Sequence, residues 1–82
     1  MTSVQDREPI EVIAAFLRSG MKPLRFRKGG RVYPIRTIHL VHEERRGRER
    51  WIYFSVSDGT NVYRLAHASE AHRWFLDQVS LL

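Results

Sequence analysis

Apolar and polar residues alternate along much of the chain, a pattern typical of strands that bury one face. Residues 24–27 alternate between apolar and arginine side chains, and the Lys28-Gly29-Gly30 sequence that follows supplies the positive φ angles of a tight turn. This pattern predicts a β-hairpin whose second strand begins at Arg31.

The apolar positions of that second strand shift by one residue. They are odd-numbered up to Ile35 and even-numbered from Ile38, which predicts a β-bulge near Arg36-Thr37. The polar stretch that follows, residues 42–50 around Gly47, predicts an exposed loop between strands.

A second hairpin is predicted over residues 51–65. Residues 51–56 alternate at period two, and Ser57-Asp58-Gly59-Thr60-Asn61 has the composition of a turn. The apolar positions resume at residues 62–65, which completes the hairpin.

Two segments fit both a helix and a strand. Residues 10–17 have helical spacing between Pro9 and Gly20, but apolar residues also alternate from Ile10 to Phe16, and three of the residues are β-branched. Residues 71–82 are equally ambiguous, and we favour a strand over residues 74–79. We therefore predict a mainly β fold: one antiparallel meander of five or six strands that curls into a barrel-like or sandwich sheet. The alternative is an α+β fold with an N- or C-terminal helix.

The length of 82 residues allows one domain. We expect residues 1–8 to be a flexible lead-in and residues 9–82 to form the domain. The chain has no cysteine, so it forms no disulfide and has no thiolate nucleophile. No apolar run reaches the roughly 20 residues that cross a bilayer, and no secretion signal is visible, so we expect a cytoplasmic location and no membrane partner.

Charge is the strongest pointer to a partner. The net charge is +5, and residues 22–50 carry ten basic residues against three acidic ones. A concentrated positive field attracts polyanions, and the arginine fork suits phosphate oxygens, so nucleic acid is the predicted partner class. Charge of this kind also serves solubility alone. The predicted nucleic-acid-binding residues are Arg25, Arg27, Lys28, Arg31, Arg36, Arg45, Arg46, Arg48 and Arg50.

The period of a strand gives this prediction a geometry. If residues 24 and 26 face the core, Arg25 and Arg27 point outward together, and the hairpin brings Lys28 and Arg31 alongside them in one basic ridge. Four aromatic rings offer stacking faces for bases, although a core this small also needs them: Tyr33, Trp51, Tyr53 and Tyr63.

No pattern of residues indicates a reaction. The histidines lack the spacing of a zinc site, and the serines lack a nucleophile elbow. We therefore expect no cofactor, no metal and no enzymatic activity. The competing hypothesis is a protein-interaction module, which binds an acidic protein or forms a homodimer through an exposed strand edge.

The order of core and turn residues gives one further indication. These residues are Ile10-x-Val12-x-Ala14-x-Phe16, Gly20, Pro23, Phe26, Gly30-Arg31-x-Tyr33-x-Ile35, Tyr63-x-Leu65 and Trp74-Phe75-Leu76. In this order the chain resembles short bacterial proteins that are grouped as a domain of unknown function. The resemblance covers about residues 10–79. It implies β structure in both ambiguous segments and carries over no catalytic residue.

Overall fold

The structure, a computed structural model, describes residues 7–81 and contains seven β-strands and no helix within them. The mainly β prediction is confirmed, including strands in both ambiguous segments. The number of strands is seven rather than five or six, because residues 31–46 form two strands and the next strand begins at residue 49. The strands are β1 (Glu8–Leu17), β2 (Gly20–Lys28), β3 (Arg31–Pro34), β4 (Thr37–Arg46), β5 (Glu49–Ser57), β6 (Asn61–Ala68) and β7 (Arg73–Leu81).

All seven strands belong to one antiparallel sheet with the order β3-β2-β1-β7-β6-β5-β4. Strand β1 joins the two parts of the sheet. It pairs with β7 only through Glu8–Ile10 and with β2 through Glu11–Leu17. The outermost strands, β3 and β4, do not pair with each other, so the sheet is open.

The turns follow the local chemistry of the sequence. The predicted hairpin at Gly29 and Gly30 is confirmed, with φ angles of 57° and 79°. In the predicted second hairpin, the Oδ1 atom of Asp58 accepts hydrogen bonds from the backbone N–H groups of Thr60 and Asn61, at 3.0 and 2.9 Å. Such bonds close a turn without a regular backbone ladder.

The predicted loop over residues 42–50 is wrong. Both strands continue to a two-residue turn, where Gly47 has a φ of 63°, and Arg46 pairs with Glu49. Charged side chains do not prevent strand pairing when their backbone groups find partners and the side chains remain in water. The stretch is the end of a long β-hairpin.

Three register shifts interrupt strand pairing, one of them between β6 and β7, where Asp77 is passed over. The shift between β4 and β5 lies at His39 rather than near Arg36-Thr37, and it leaves Leu40 63% exposed. A second shift lies opposite Ile13 and Ala14, where Leu24 is passed over in the pairing of β1 with β2. The expectation that Leu24 faces the core is therefore wrong, and this side chain is 42% exposed.

The core lies on the concave face of the curved sheet. The rings of Phe26 on β2 and Tyr63 on β6 meet edge to face at 5.1 Å, although β1 and β7 separate these strands in the sheet order. The sheet must therefore curve strongly to bring them together. The buried cluster consists of Phe26, Phe54, Val56, Tyr63, Leu65 and Leu76.

The ends of the described chain bear on two further expectations. Residues 1–6 of the predicted lead-in lie outside the described residues, whereas Arg7 bonds to Asp77 and Glu8 begins β1. Phe16 alternates with Ile10 and lies on the same face of β1, but its side chain is not buried, since it is 82% exposed. It lies near the end of the β1–β2 hairpin, beyond the part of β1 that pairs with β7.

Candidate nucleic-acid interface

Positive charge is unevenly divided between the two parts of the sheet. Residues 7–36, which span β1 to β3, contain eight basic and two acidic residues, a net charge of +6. Residues 37–81, which span β4 to β7, contain six of each and are neutral. The acid-free stretch from residue 12 to residue 42 contains seven of the basic residues. The first three strands therefore carry the excess charge.

Arg25 and Arg27 lie on the convex face of β2, as predicted, because Phe26 between them is buried. Arg27 forms an ion pair with Glu11, its cross-strand neighbour on β1. Arg25 has no acidic partner within 4 Å among the described residues. The residue of β1 that pairs with Arg25 is Ile13, which is 53% exposed. The face is thus positive with apolar positions among its cations.

Lys28 and Arg31 lie on the opposite face of the same hairpin. Lys28 is one residue beyond Arg27 and pairs with Arg31, so both side chains share the side of Phe26. They line a cleft of about 440 Å³ together with Tyr33. Lys28 also lies 3.5 Å from a Glu8 carboxylate oxygen. The predicted single ridge is therefore divided between two faces, because a strand alternates its side chains.

Two of the four arginines near the turn of the β4–β5 hairpin are paired with acidic residues. Arg50 lies 2.7 Å from Glu43, and Arg46 lies 3.2 Å from Glu44. The hydrogen bond from His42, followed by that from Arg46, lowers the pKa of the Glu44 carboxyl. The carboxylate therefore stays ionised against its cations, and this end of the sheet attracts polyanions less than β1–β3 does.

Three of the nine predicted residues remain outside these groups. Arg45 and Arg48 are exposed near the tip of the β4–β5 hairpin and have no acidic partner within 4 Å among residues 7–81. Arg36 is exposed on the link between β3 and β4, where its side chain lies over Gly59. The link is held at both ends, since the backbone N–H of Ile35 donates to Leu24 O and that of Arg36 donates to Ser57 O.

The aromatic rings are engaged within the protein. Tyr53 and Tyr63 are 3% and 5% exposed, and Tyr33 stacks on Phe26 with the ring centroids 4.9 Å apart. Trp51 lies on the convex face beneath two guanidinium groups, those of Arg7 at 4.4 Å and Arg46 at 5.7 Å. Packing within the domain therefore uses the rings that would otherwise stack on bases.

A network that the sequence did not indicate holds this convex layer together. Arg7 donates to Asp77 Oδ1 at 3.1 Å and to the Tyr53 hydroxyl at 2.9 Å, and Arg46 also donates to that hydroxyl at 3.2 Å. Arg64 lies 3.3 Å from the second Asp77 oxygen. Arg7 is 46 residues from Tyr53 and 70 residues from Asp77 in the sequence, and no local sequence pattern indicates such pairings. These arginines serve the packing of β5 to β7.

The histidines do not converge. His39 Nε2 hydrogen-bonds with Ser57 Oγ at 2.8 Å, while His67 packs against the Trp74 ring at 4.6 Å. Burial lowers the pKa of His67, and its Nδ1 atom is buried without a hydrogen-bond partner among the described residues. Within residues 7–81, no group of three or more potential ligand residues is placed to hold a metal ion.

Sequence reasoning did not single out the exposed apolar residues at the end of the β1–β2 hairpin. Phe16 and Leu17 are exposed there beside Arg18, and Lys22 follows on β2. The nearby Ser19-Gly20 turn was the available signal, since apolar residues beside a hairpin turn lack neighbouring strands to cover them.

Comparisons with protein-family models, with curated proteins and with solved structures find no significant match to this chain. The resemblance to bacterial domains of unknown function therefore stays a prediction. Within the described residues, no helix has the length and apolar character needed to cross a membrane.

Proposed function

We propose that this protein is a non-enzymatic nucleic-acid-binding domain that contacts the phosphate backbone through β1 to β3. One observation carries the proposal: seven basic residues and no acidic residue between positions 12 and 42, concentrated by the fold in one part of the sheet. A field of one sign raises the local concentration of a polyanion and speeds its encounter with the surface.

The proposed contact is with phosphates rather than with bases. Tyr53 and Tyr63 are buried, and Trp51 is covered by Arg7 and Arg46. Phosphate contacts position a protein on nucleic acid without reading its sequence. We therefore expect affinity that depends weakly on base sequence and strongly on salt.

Under this proposal the nine predicted residues contribute unequally to nucleic-acid binding. The main contacts are assigned to Arg25 and Arg27 on the convex face, assisted by Lys22, to Lys28 and Arg31 on the opposite face, and to Arg36 on the link between β3 and β4. The β4–β5 residues Arg45, Arg46, Arg48 and Arg50 form a secondary surface, because Glu43, Glu44 and Glu49 lie among them, whereas residues 12–42 contain no acidic residue.

A barrel-like curl of the sheet supports this surface in our proposal. The link at Ile35 and Arg36 is hydrogen-bonded to β2 and to the end of β5, so it holds the two outermost strands near each other. A curled support keeps the basic strands in a defined arrangement, which reduces the ordering cost of binding.

The experiment is a titration of fluorescently labelled single-stranded and duplex DNA and RNA, followed by anisotropy at about 50 and about 200 mM salt. Each phosphate contact contributes about 0.9 to the slope of log affinity against log salt on duplex DNA. Replacing Lys22 and Arg25 together by glutamate should weaken binding about tenfold or more and reduce the slope by about two.

The matched control replaces Arg45 and Arg48 by glutamate, which changes the net charge equally. We expect it to weaken binding by less than about threefold. Equal losses in both variants would show that only total charge matters, and polyglutamate binding as tight as DNA binding would favour an acidic protein as the partner. Either result would contradict the proposed interface.

A homodimer through β4 is the second candidate function. The outer edge of β4 has no partner strand among the described residues, and Leu40 and Val41 on this strand are 63% and 55% exposed. An edge can accept a second chain through backbone hydrogen bonds. Light scattering would then report a dimer whose mass persists at high salt, whereas a monomer would exclude this function.

A further inference from the structure

The outer part of the β1–β2 hairpin is a two-stranded ribbon. Strand β7 pairs with β1 only as far as Ile10, so Glu11–Leu17 has β2 alone as its hydrogen-bonded neighbour. The ribbon ends in a turn at Arg18 and Ser19. Its end is thus accessible to a partner without rearrangement of the rest of the sheet.

Large apolar side chains are exposed at this end. Phe16 is 82% exposed and Leu17 is 52% exposed. They border an open groove of about 800 Å³ between the ribbon and β4 to β6, but the exposure of Phe16 shows that it is not packed into the sheet. Exposed aromatic and aliphatic side chains in such a position are typical of interaction sites.

Cations flank the apolar end. Arg18 follows Leu17 directly, Lys22 lies three residues past Ser19, and no acidic residue lies between positions 12 and 42. A partner that accepts both the apolar end and these cations must combine negative charge with an apolar interior. Stacked base pairs between phosphate backbones have this combination.

We propose that Phe16 is a wedge that inserts at a base step of duplex DNA, unstacks it and bends the helix, while Arg18 and Lys22 contact the adjacent phosphates. This inference rests on the proposed nucleic-acid-binding function and names duplex DNA as its substrate. Apolar side chains inserted from the minor groove unstack base steps and kink the duplex.

The length of the basic track favours DNA over a lipid surface. Exposed cations continue from Lys22 to Arg25 and Arg27 along β2, a nine-residue strand about 30 Å long. A flat anionic bilayer that received the hairpin tip would leave the far cations distant from its headgroups. An elongated polyanion that follows the ribbon contacts both ends.

The experiment uses the full chain and a duplex of about 30 base pairs with a dye at each end and 2-aminopurine at central steps. Wild type should raise energy transfer between the ends, because the duplex bends, and raise 2-aminopurine fluorescence, because a base unstacks. It should also bind a duplex with a central mismatch about tenfold more tightly than an intact duplex, since the mismatch lowers the cost of unstacking.

The Phe16→Ser variant should bind intact duplex within about threefold of wild type, with the same salt slope, but lose both fluorescence changes. The matched control is Leu81→Ser, because Leu81 is 81% exposed and lies on β7. This control should behave as wild type does. Thermal melting of both variants checks that the fold is retained.

Four results would overturn the wedge. Wild type that binds duplex without bending or unstacking would refute it and leave the proposed function standing, whereas wild type that binds no nucleic acid would refute both. Tighter, Phe16-dependent binding to phosphatidylserine vesicles than to DNA would identify the tip as a membrane contact. A dimer that Phe16→Ser dissociates would identify it as a self-association surface.

Discussion

Strands β1 to β3 and strands β4 to β7 use their residues for different purposes. Within residues 7–36 only Pro23 and Phe26 are buried, and the net charge is +6. Strands β4 to β7 contain the other buried core residues and are electrically neutral. Stability and candidate binding are therefore separated along the chain: one part supplies the packed core and the other supplies an exposed basic surface.

The separation follows from how each strand is covered. Strands β5 and β6 have a hydrogen-bonded neighbour on both sides over most of their length, and Val56, Leu65 and Ala66 are fully buried. The outer part of β1 and β2, residues 14–17 paired with residues 20–23, is a two-stranded ribbon, and Phe26 on the inner part of β2 packs in the core. Because little of the ribbon is buried, most of its side chains are not needed for packing and are accessible to a ligand.

The largest effect on stability should come from shortening a side chain in the core. Leu65→Ala should lower the free energy of unfolding by about 3 kcal/mol, because a fully buried leucine leaves a cavity. Leu81→Ala, which removes the same atoms from an 81% exposed side chain, should change it by about 0.5 kcal/mol or less. Urea denaturation measures both, and equal losses would contradict the assignment of the core.

Local opening should separate the two regions next. The free energy of opening measured by hydrogen exchange should approach that of global unfolding for the amides of β5 and β6. For the amides of Glu11–Leu17 it should be lower by about 2 kcal/mol or more. Exchange at a single common rate would instead show that the ribbon and the rest of the sheet unfold as one unit. Deuterium uptake followed by NMR resolves these amides.

A pH titration should give a smaller effect that belongs to β6. Burial lowers the pKa of His67, so the folded state resists protonation of this ring. Its stabilisation is complete above the unfolded pKa of about 6.5 and declines as the pH falls below that value. Urea denaturation at neutral and mildly acidic pH measures the loss, and His67→Gln should reduce it. An unchanged pH dependence in this variant would assign the loss to other groups.

The smallest effect should come from freeing one cation. Glu11→Gln removes the partner of Arg27 on the exposed face, so stability should change by about 0.5 kcal/mol or less. The added positive charge should raise DNA affinity about twofold to threefold at low salt. Glu70→Gln makes the same charge change in the neutral region and should leave affinity unaltered. Equal gains from both would remove the distinction between the regions as ligand surfaces.

The interface could be predicted from the sequence only in part. The concentration of cations and the outward direction of Arg25 and Arg27 followed from composition and from the period of a strand. The pairing of Arg27 with Glu11, 16 residues away, did not, because cross-strand register is a property of two segments. Phe16 alternates with core residues in the sequence, and only the short pairing of β1 with β7 shows that nothing covers it.

The sequence by itself determined the β character of the chain, the turn at Gly29-Gly30, the turn at Asp58, and the charge of each strand. These properties depend on neighbouring residues, since alternation and positive φ angles act over two to five positions. The tertiary structure alone decided the register shifts at Leu24 and His39, the continuation of the charged hairpin around Gly47, and the division of the basic residues between two faces. Those outcomes depend on which distant strand supplies the next hydrogen bond and on which side chain covers the core.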